Sequence, residues 1–188
     1  MKVLENHQPD IRKISDLKEV LFDQEWAEKV TDFDVYYMYR GIKEKDDLRY
    51  DITVIPFRMF GKEFPKTKGH YHPKEYGEVY IVLQGRAIYL IQGVSDAYAV
   101  TAEEGDVVTV PPGYGHITIN PGKEDLIMAN WVSPHFSSDY DSILKKGGGC
   151  YFFTEDGWVK NENYKEIKEL HFKEPEKEIP EDLSFLSV

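Results

Sequence analysis

The sequence predicts an all-β protein, a sandwich or barrel of many short strands with short helices only at its periphery. Three observations carry that expectation. From Asp34 onward, β-branched and aromatic residues recur in short runs at period two. Turn-forming pairs such as Gln84-Gly85, Glu104-Gly105 and Pro121-Gly122 separate those runs at a spacing of roughly 8–12 residues. Finally, 188 residues that are 41% hydrophobic and 14% aromatic can bury a substantial core, which excludes a disordered chain.

The elements follow in order. Residues 1–31 are expected to form peripheral N-terminal helices. Ser15-Asp16 with Glu19 has the spacing of a capped turn, and Asp23–Val30 forms a second short helix. The β-barrel core is expected over 34–160. Its strands are predicted at Tyr36–Tyr39, Asp51–Ile55, Val79–Leu83, Ala87–Ile91, Asp106–Val110, His116–Ile119 and Leu126–Val132. Within Val79–Leu83 both faces are apolar, as in a strand buried between sheets or in a subunit interface. Residues 139–146, followed by Gly147-Gly148-Gly149, predict a short helix with glycine past its end. The tail 174–188, with Pro175 and Pro180 among alternating charges, is expected to be extended or poorly ordered. No repeat or linker divides the chain, so 1–188 is expected to be a single domain.

Composition excludes several functions. The formal net charge is −11, which disfavours a nucleic-acid or anionic-membrane surface, since phosphate binding draws on clustered Lys and Arg. No apolar run approaches the ~18 residues of a membrane helix, and the opening Met1–His7 lacks the apolar core of a signal peptide. Cys150 is the only cysteine, so there is no internal disulfide, thiolate zinc finger or redox pair. A cytoplasmic location is the resulting expectation.

One constellation carries chemistry. In His70-Tyr71-His72 on a strand, the two imidazoles share a face roughly 6.5–7 Å apart and can converge on one ion. Glu78 opens the next strand after the turn Pro73–Gly77, and a hairpin would fold its carboxylate back beside the histidines. His116 follows the turn Pro111–Gly115 and is the fourth candidate. Three imidazoles and one carboxylate suit a borderline divalent cation: Fe²⁺, Mn²⁺, Ni²⁺ or Zn²⁺. His7, His135 and His171 lack such context and are read as surface or satisfied residues. A second local signal is charge. Arg58, Lys62, Lys66, Lys68 and Lys74 face Glu63 alone in the segment 58–74, a positive patch that would focus an anionic substrate.

These residues resemble the two motifs of the cupin superfamily. The second stands complete as Gly105, Pro111-Pro112-Gly113, His116 and Asn120. The first has His70-x-His72, Glu78 and Gly85, but with five residues between His72 and Glu78 and with Gly69 adjoining His70. Those departures, within Thr67-Lys68-Gly69-His70-Tyr71-His72 and Glu78-Val79-Tyr80, look like the signature of cupin-type phosphoglucose isomerases. The likeness covers most of residues 11–160.

It implies a double-stranded β-helix (jelly roll), a homodimer, and one divalent metal per subunit, Fe²⁺ first, held by His70, His72, Glu78 and His116. The implied activity is interconversion of glucose 6-phosphate and fructose 6-phosphate. Glu78 is then the base or a ligand, Tyr80 points inward beside the sugar, and Tyr36, Thr53, Thr67 and the Gly69 N–H hold the phosphate. The chain departs from the family at Val132 and Ser138, where Tyr and His are usual. Tyr140 or His135 is the candidate replacement. Two rival expectations share the ligand set: an acireductone-type dioxygenase and a non-catalytic sugar-phosphate or metal-binding cupin.

Overall fold

A computed structural model describes residues 4–186. Its strands run β1 (Asp10–Lys13), β2 (Asp34–Lys45), β3 (Leu48–Ile55), β4 (His70–Tyr71), β5 (Glu78–Gln84), β6 (Arg86–Gln92) and β7 (Ala97–Glu103). They continue as β8 (Val107–Val110), β9 (Gly115–Ile119), β10 (Leu126–Val132), β11 (Tyr151–Thr154), β12 (Gly157–Lys160) and β13 (His171–Lys173). Six form one sheet in the order β1-β2-β3-β10-β5-β8, and five form the facing sheet in the order β13-β7-β6-β9-β4. From β3 to β10 the chain passes back and forth between the sheets, the winding of a cupin jelly roll. β11 and β12 make a separate hairpin.

Alternation explains the layers. On β5, Tyr80 and Val82 point into the core between the sheets, where they meet Tyr89, Ile91, Val108 and Met128. Val79 points outward, into a second apolar cluster with Trp131, Ala129 and Leu186. Gly85, with φ +82°, makes the tight turn from β5 to β6 that a side chain would strain.

The N-terminal periphery differs from the sequence expectation in two places. Asp10–Lys13 is a strand, not a helix, paired with the open edge of β2. Pro9 and the absence of a 3.6-residue apolar period leave that segment free to extend. The expected N-terminal helices are reduced to two 3₁₀ turns and α1 (Gln24–Lys29), capped by Asp23, which accepts from the Trp26 N–H at 3.0 Å. The expected helix over 139–146 is present as α2 (Asp141–Leu144), with Gly147 at φ +67° beyond its end.

The C-terminal segment does not trail away. Glu176 pairs with Val107 through both backbone bonds, the Gly77 N–H donates to the Phe185 carbonyl at 2.8 Å, and Leu186 is fully buried. Lys177 reaches Asp106 at 2.6 Å. Among the described residues no helix is long and apolar enough to cross a membrane.

Candidate metal centre

Opposite sheets build the site. His70 on β4 and His116 on β9 are direct cross-strand partners, which sets their rings 4.6 Å apart. His72 stacks on His70 with centroids at 4.9 Å and the two Nε2 atoms 3.0 Å apart. Glu78 enters from β5, with Oε2 3.3 Å from His72 Nε2 and 3.4 Å from His116 Nε2. The expected hairpin is not how Glu78 arrives. β4 lies at the edge of one sheet and β5 inside the other, so the carboxylate reaches the imidazoles across the barrel interior.

The residues present fit a divalent cation. Their four ligand atoms lie within 4.8 Å of one another, a spread that bonds of about 2.1 Å would draw together. Glu78 Oε2 is buried without a hydrogen-bond partner, an orphaned acceptor aimed at the imidazoles. Burial, reinforced by His72 and Arg40, lowers the pKa of His70 to about 3. Burial, with His70 and His72, holds His116 well below the ordinary histidine value. Both rings are therefore neutral near pH 7, with lone pairs available for a metal. Nδ1 of His72 and of His116 finds no acceptor among the described residues, so ring packing orients them: Phe136 lies 4.8 Å from His72 and Tyr80 5.4 Å from His116.

Two neighbours complete the centre. Asn130 on β10 donates from Nδ2 to Glu78 Oε1 at 2.6 Å, which fixes the carboxylate and turns Oε2 toward the histidines. The Tyr80 hydroxyl lies 3.0 Å from His116 Nε2. Burial first, and Glu78 second, raise the Tyr80 pKa far above its usual value, so the phenol keeps its proton and serves as a donor.

The cluster opens into a cavity of about 300 Å³. Tyr36, Thr53, Thr67, Gly69 and Tyr140 all line it, as do Val132 and Ser138. Tyr140 packs 5.3 Å from His70, and the Arg12 guanidinium at 5.7 Å and the Lys68 ammonium at 5.8 Å lie near its ring. His135 does not join them. It pairs with Asp47 at 2.8 Å on the surface.

Of the positive patch read in the sequence, Arg58 lies over the Phe33 ring and Lys66 is locked in a buried pair with Glu63. The cavity's arginines are instead Arg40 and Arg49, which sequence reasoning missed together with Asp51 and Asn130. Their signal was Arg49, Asp51 and Thr53 at alternate positions of β3 and the single polar Asn130 between Met128 and Val132 on the same face of β10.

Gly69 sits where a side chain cannot. Its φ is +81°, and a Cβ would meet Ile117 Cγ1 at 2.4 Å. Gly69→Ala is expected to cost about 3 kcal/mol from backbone strain and overpacking, read as a lower thermal midpoint.

The family model described as "Glucose-6-phosphate isomerase (GPI)" matches residues 11–169. The chain belongs to that family. Relatives named glucose-6-phosphate isomerase include one from Pyrococcus horikoshii, 37% identical over 165 residues covering 84% of this chain and 87% of the relative. Another, from Thermococcus litoralis, is 35% identical over 164 residues, covering 84% and 86%. Among solved structures, a cupin-2 domain protein from Shewanella frigidimarina aligns with a TM-score of 0.39 at 19% identity, over 50% of this chain and 78% of the other. Within the glucose-6-phosphate isomerase family match fall all four clustered candidate ligands and the tyrosines and threonines of the cavity.

Proposed function

We propose that this chain is a metal-dependent aldose–ketose isomerase that interconverts glucose 6-phosphate and fructose 6-phosphate. One observation carries the reading: three imidazoles and an orphaned carboxylate oxygen converge in the same cavity as Tyr36, Thr53, Thr67 and Gly69. His70, His72, His116 and Glu78 hold the cation, with Fe²⁺ first and Mn²⁺, Ni²⁺ or Zn²⁺ as alternatives. When bound, such a cation supplies Lewis acidity to charge that develops on the sugar's O1 and O2. The remaining work falls to side chains. Tyr36, Thr53 and Thr67 hydroxyls and the Gly69 N–H bind the phosphate, and Tyr140 closes the cavity over the sugar. Tyr80, which keeps its proton, donates to a sugar oxygen, and Asn130 keeps Glu78 aimed inward.

Hydrogen moves between C1 and C2 by one of two routes. In the first, Glu78 takes the proton from one carbon and returns it to the other. In the second, hydride passes directly and Glu78 acts only as a ligand. Turnover in D₂O separates them: carbon-bound deuterium in the product rules out a pure hydride shift, whereas complete retention of substrate hydrogen disfavours the proton-transfer route.

We further read residues 1–188 as one domain, acting in the cytoplasm as a homodimer. Half-buried Tyr39, Ile81, Leu83 and Ile127 on the outer face of the six-stranded sheet support the homodimer. A coupled assay of glucose 6-phosphate conversion, with and without EDTA, tests the function. Activity lost in EDTA and restored by Fe²⁺ or Mn²⁺ is expected. Full activity in a metal-free sample defeats the reading.

A further inference from the structure

One wall of the cavity serves neither the ligand cluster nor the phosphate-binding residues. β2 and β3 contribute Arg40 and Arg49 to it, with Asp51 between them. Asp51 is only 3% exposed, and its carboxylate is saturated. Oδ1 accepts from Arg49 Nε and from the Gly41 N–H, both at 2.8 Å. Oδ2 accepts from Arg49 Nη2 at 2.8 Å and lies 3.5 Å from Arg40 Nη1. A carboxylate so occupied has nothing left to accept from a ligand, so this wall offers the cavity donors.

The two guanidinium groups have capacity to spare. Arg49 spends its Nε–Nη2 edge on Asp51, which turns the Nη1 edge of the planar group away from that carboxylate. Arg40 gives Nε to Asp10 at 2.8 Å, while its Nη2 lies 3.5 Å from the Met38 sulfur, a weak acceptor.

Register locates the wall. β10 lies between β3 and β5, pairing Asp51 and Tyr80 with the two sides of Asn130, and Arg49 and Glu78 with the two sides of Val132. Arg49 and Asp51 therefore stand on the same rows as Glu78 and Tyr80, two strands away, or roughly 9–10 Å of backbone separation. Thr53 stands two residues further along β3. A sugar phosphate with its carbonyl end at Glu78 and Tyr80 and its phosphate at Thr53 crosses β10 obliquely beside Asn130, with the Asp51 and Arg49 rows on its flank, and the long Arg40 and Arg49 side chains line the cavity on that side.

We propose that Arg40 and Arg49, held in place by Asp51, are substrate-binding residues that donate hydrogen bonds to the hydroxyl oxygens of the sugar's middle carbons. This selects polyhydroxy phosphates over bare phosphate. It rests on the isomerase reading, because that reading supplies the direction in which the sugar lies.

The test uses the full-length protein with Arg40→Met, which leaves the Arg49–Asp51 fork intact, and Arg49→Met as a second variant. Binding of inorganic phosphate and of 6-phosphogluconate, which has no carbonyl to isomerise, is measured by calorimetry, and KM and kcat are measured on glucose 6-phosphate. Loss of a charge-assisted hydrogen bond is expected to weaken 6-phosphogluconate binding and raise KM about 10-fold. The value of kcat should change less than about 3-fold, as for uniform binding. Inorganic phosphate should bind each variant as it binds the wild type. Unchanged 6-phosphogluconate affinity in both variants overturns the proposal, whatever their thermal midpoints. An equal loss of inorganic phosphate affinity overturns it too, since it places the guanidiniums at the phosphate. Wild-type protein that turns over no sugar phosphate defeats the isomerase reading, and the binding comparison still decides this one.

Discussion

A His116→Ala variant is expected to lose at least about 1,000-fold in kcat and to retain far less than the roughly one metal equivalent expected of the wild type. The magnitude follows from what the ring touches. His116 Nε2 lies 3.4 Å from Glu78 Oε2 and 3.0 Å from the Tyr80 hydroxyl, so its loss removes a candidate ligand and strands the phenol that is to donate to the sugar. His70 and His72 would remain, but two imidazoles and one carboxylate bind a cation more weakly, and the cation would no longer face Tyr80. Elemental analysis of the purified variant beside its kcat is the decisive pair of measurements. His135→Ala is the control: that ring pairs with Asp47 on the surface, and its removal should leave both readings unchanged. Full metal content and turnover in His116→Ala would remove the basis for assigning the four residues to one centre.

The cluster of four candidate ligands was legible in the sequence because motif spacing survives any route the chain takes between motifs. The route was not legible. A hairpin is the local solution for His72 and Glu78, and only the alternation of the chain between two sheets sends β4 and β5 to opposite walls. Strands rich in Val, Ile and Tyr announced themselves, whereas β7, with three alanines in Ala97–Glu103, lacks β-branched weight and is a strand because β6 pairs along its whole length. Asn130, Asp51, Arg40 and Arg49 were missed for a different reason. Whether a residue on β2 or β3 points inward depends on register, and β2 shifts register between Tyr39 and Lys43. Charge counting also misled. Segment 58–74 is rich in cations, yet Lys66 is neutralised in the core by Glu63 and Arg58 lies on an aromatic face.

That buried pair yields the largest stability effect expected outside the site. Lys66 and Glu63 have side chains 3% and 1% exposed and meet at 2.5 Å. Lys66 also donates to the Val20 carbonyl at 2.8 Å, and Glu63 Oε2 accepts from the Phe22 N–H at 2.8 Å. The pair thus fastens the N-terminal segment to the stretch of chain that leads into Thr67. Lys66→Met leaves a buried carboxylate uncompensated and is expected to cost about 3–5 kcal/mol, a drop in thermal midpoint of about 10 °C or more. Its pH dependence gives the cause a signature. Burial raises the Glu63 pKa, and Lys66 opposes that rise. Without Lys66 the folded-state value climbs further above the unfolded value of about 4.3. The folded variant then binds the proton more tightly than the unfolded chain does. Its deficit relative to wild type should therefore be smallest below about pH 4.3 and grow as pH rises through the folded-state pKa. Urea titrations of both proteins across that range measure it. Adding Glu63→Gln removes the stranded charge while keeping an acceptor for the Phe22 N–H, so the double variant should recover most of the loss at neutral pH and show no such slope. A deficit independent of pH, or a double variant no more stable than Lys66→Met, would assign the loss to packing around the Lys66 stem and the Phe152 ring 4.9 Å from its ammonium.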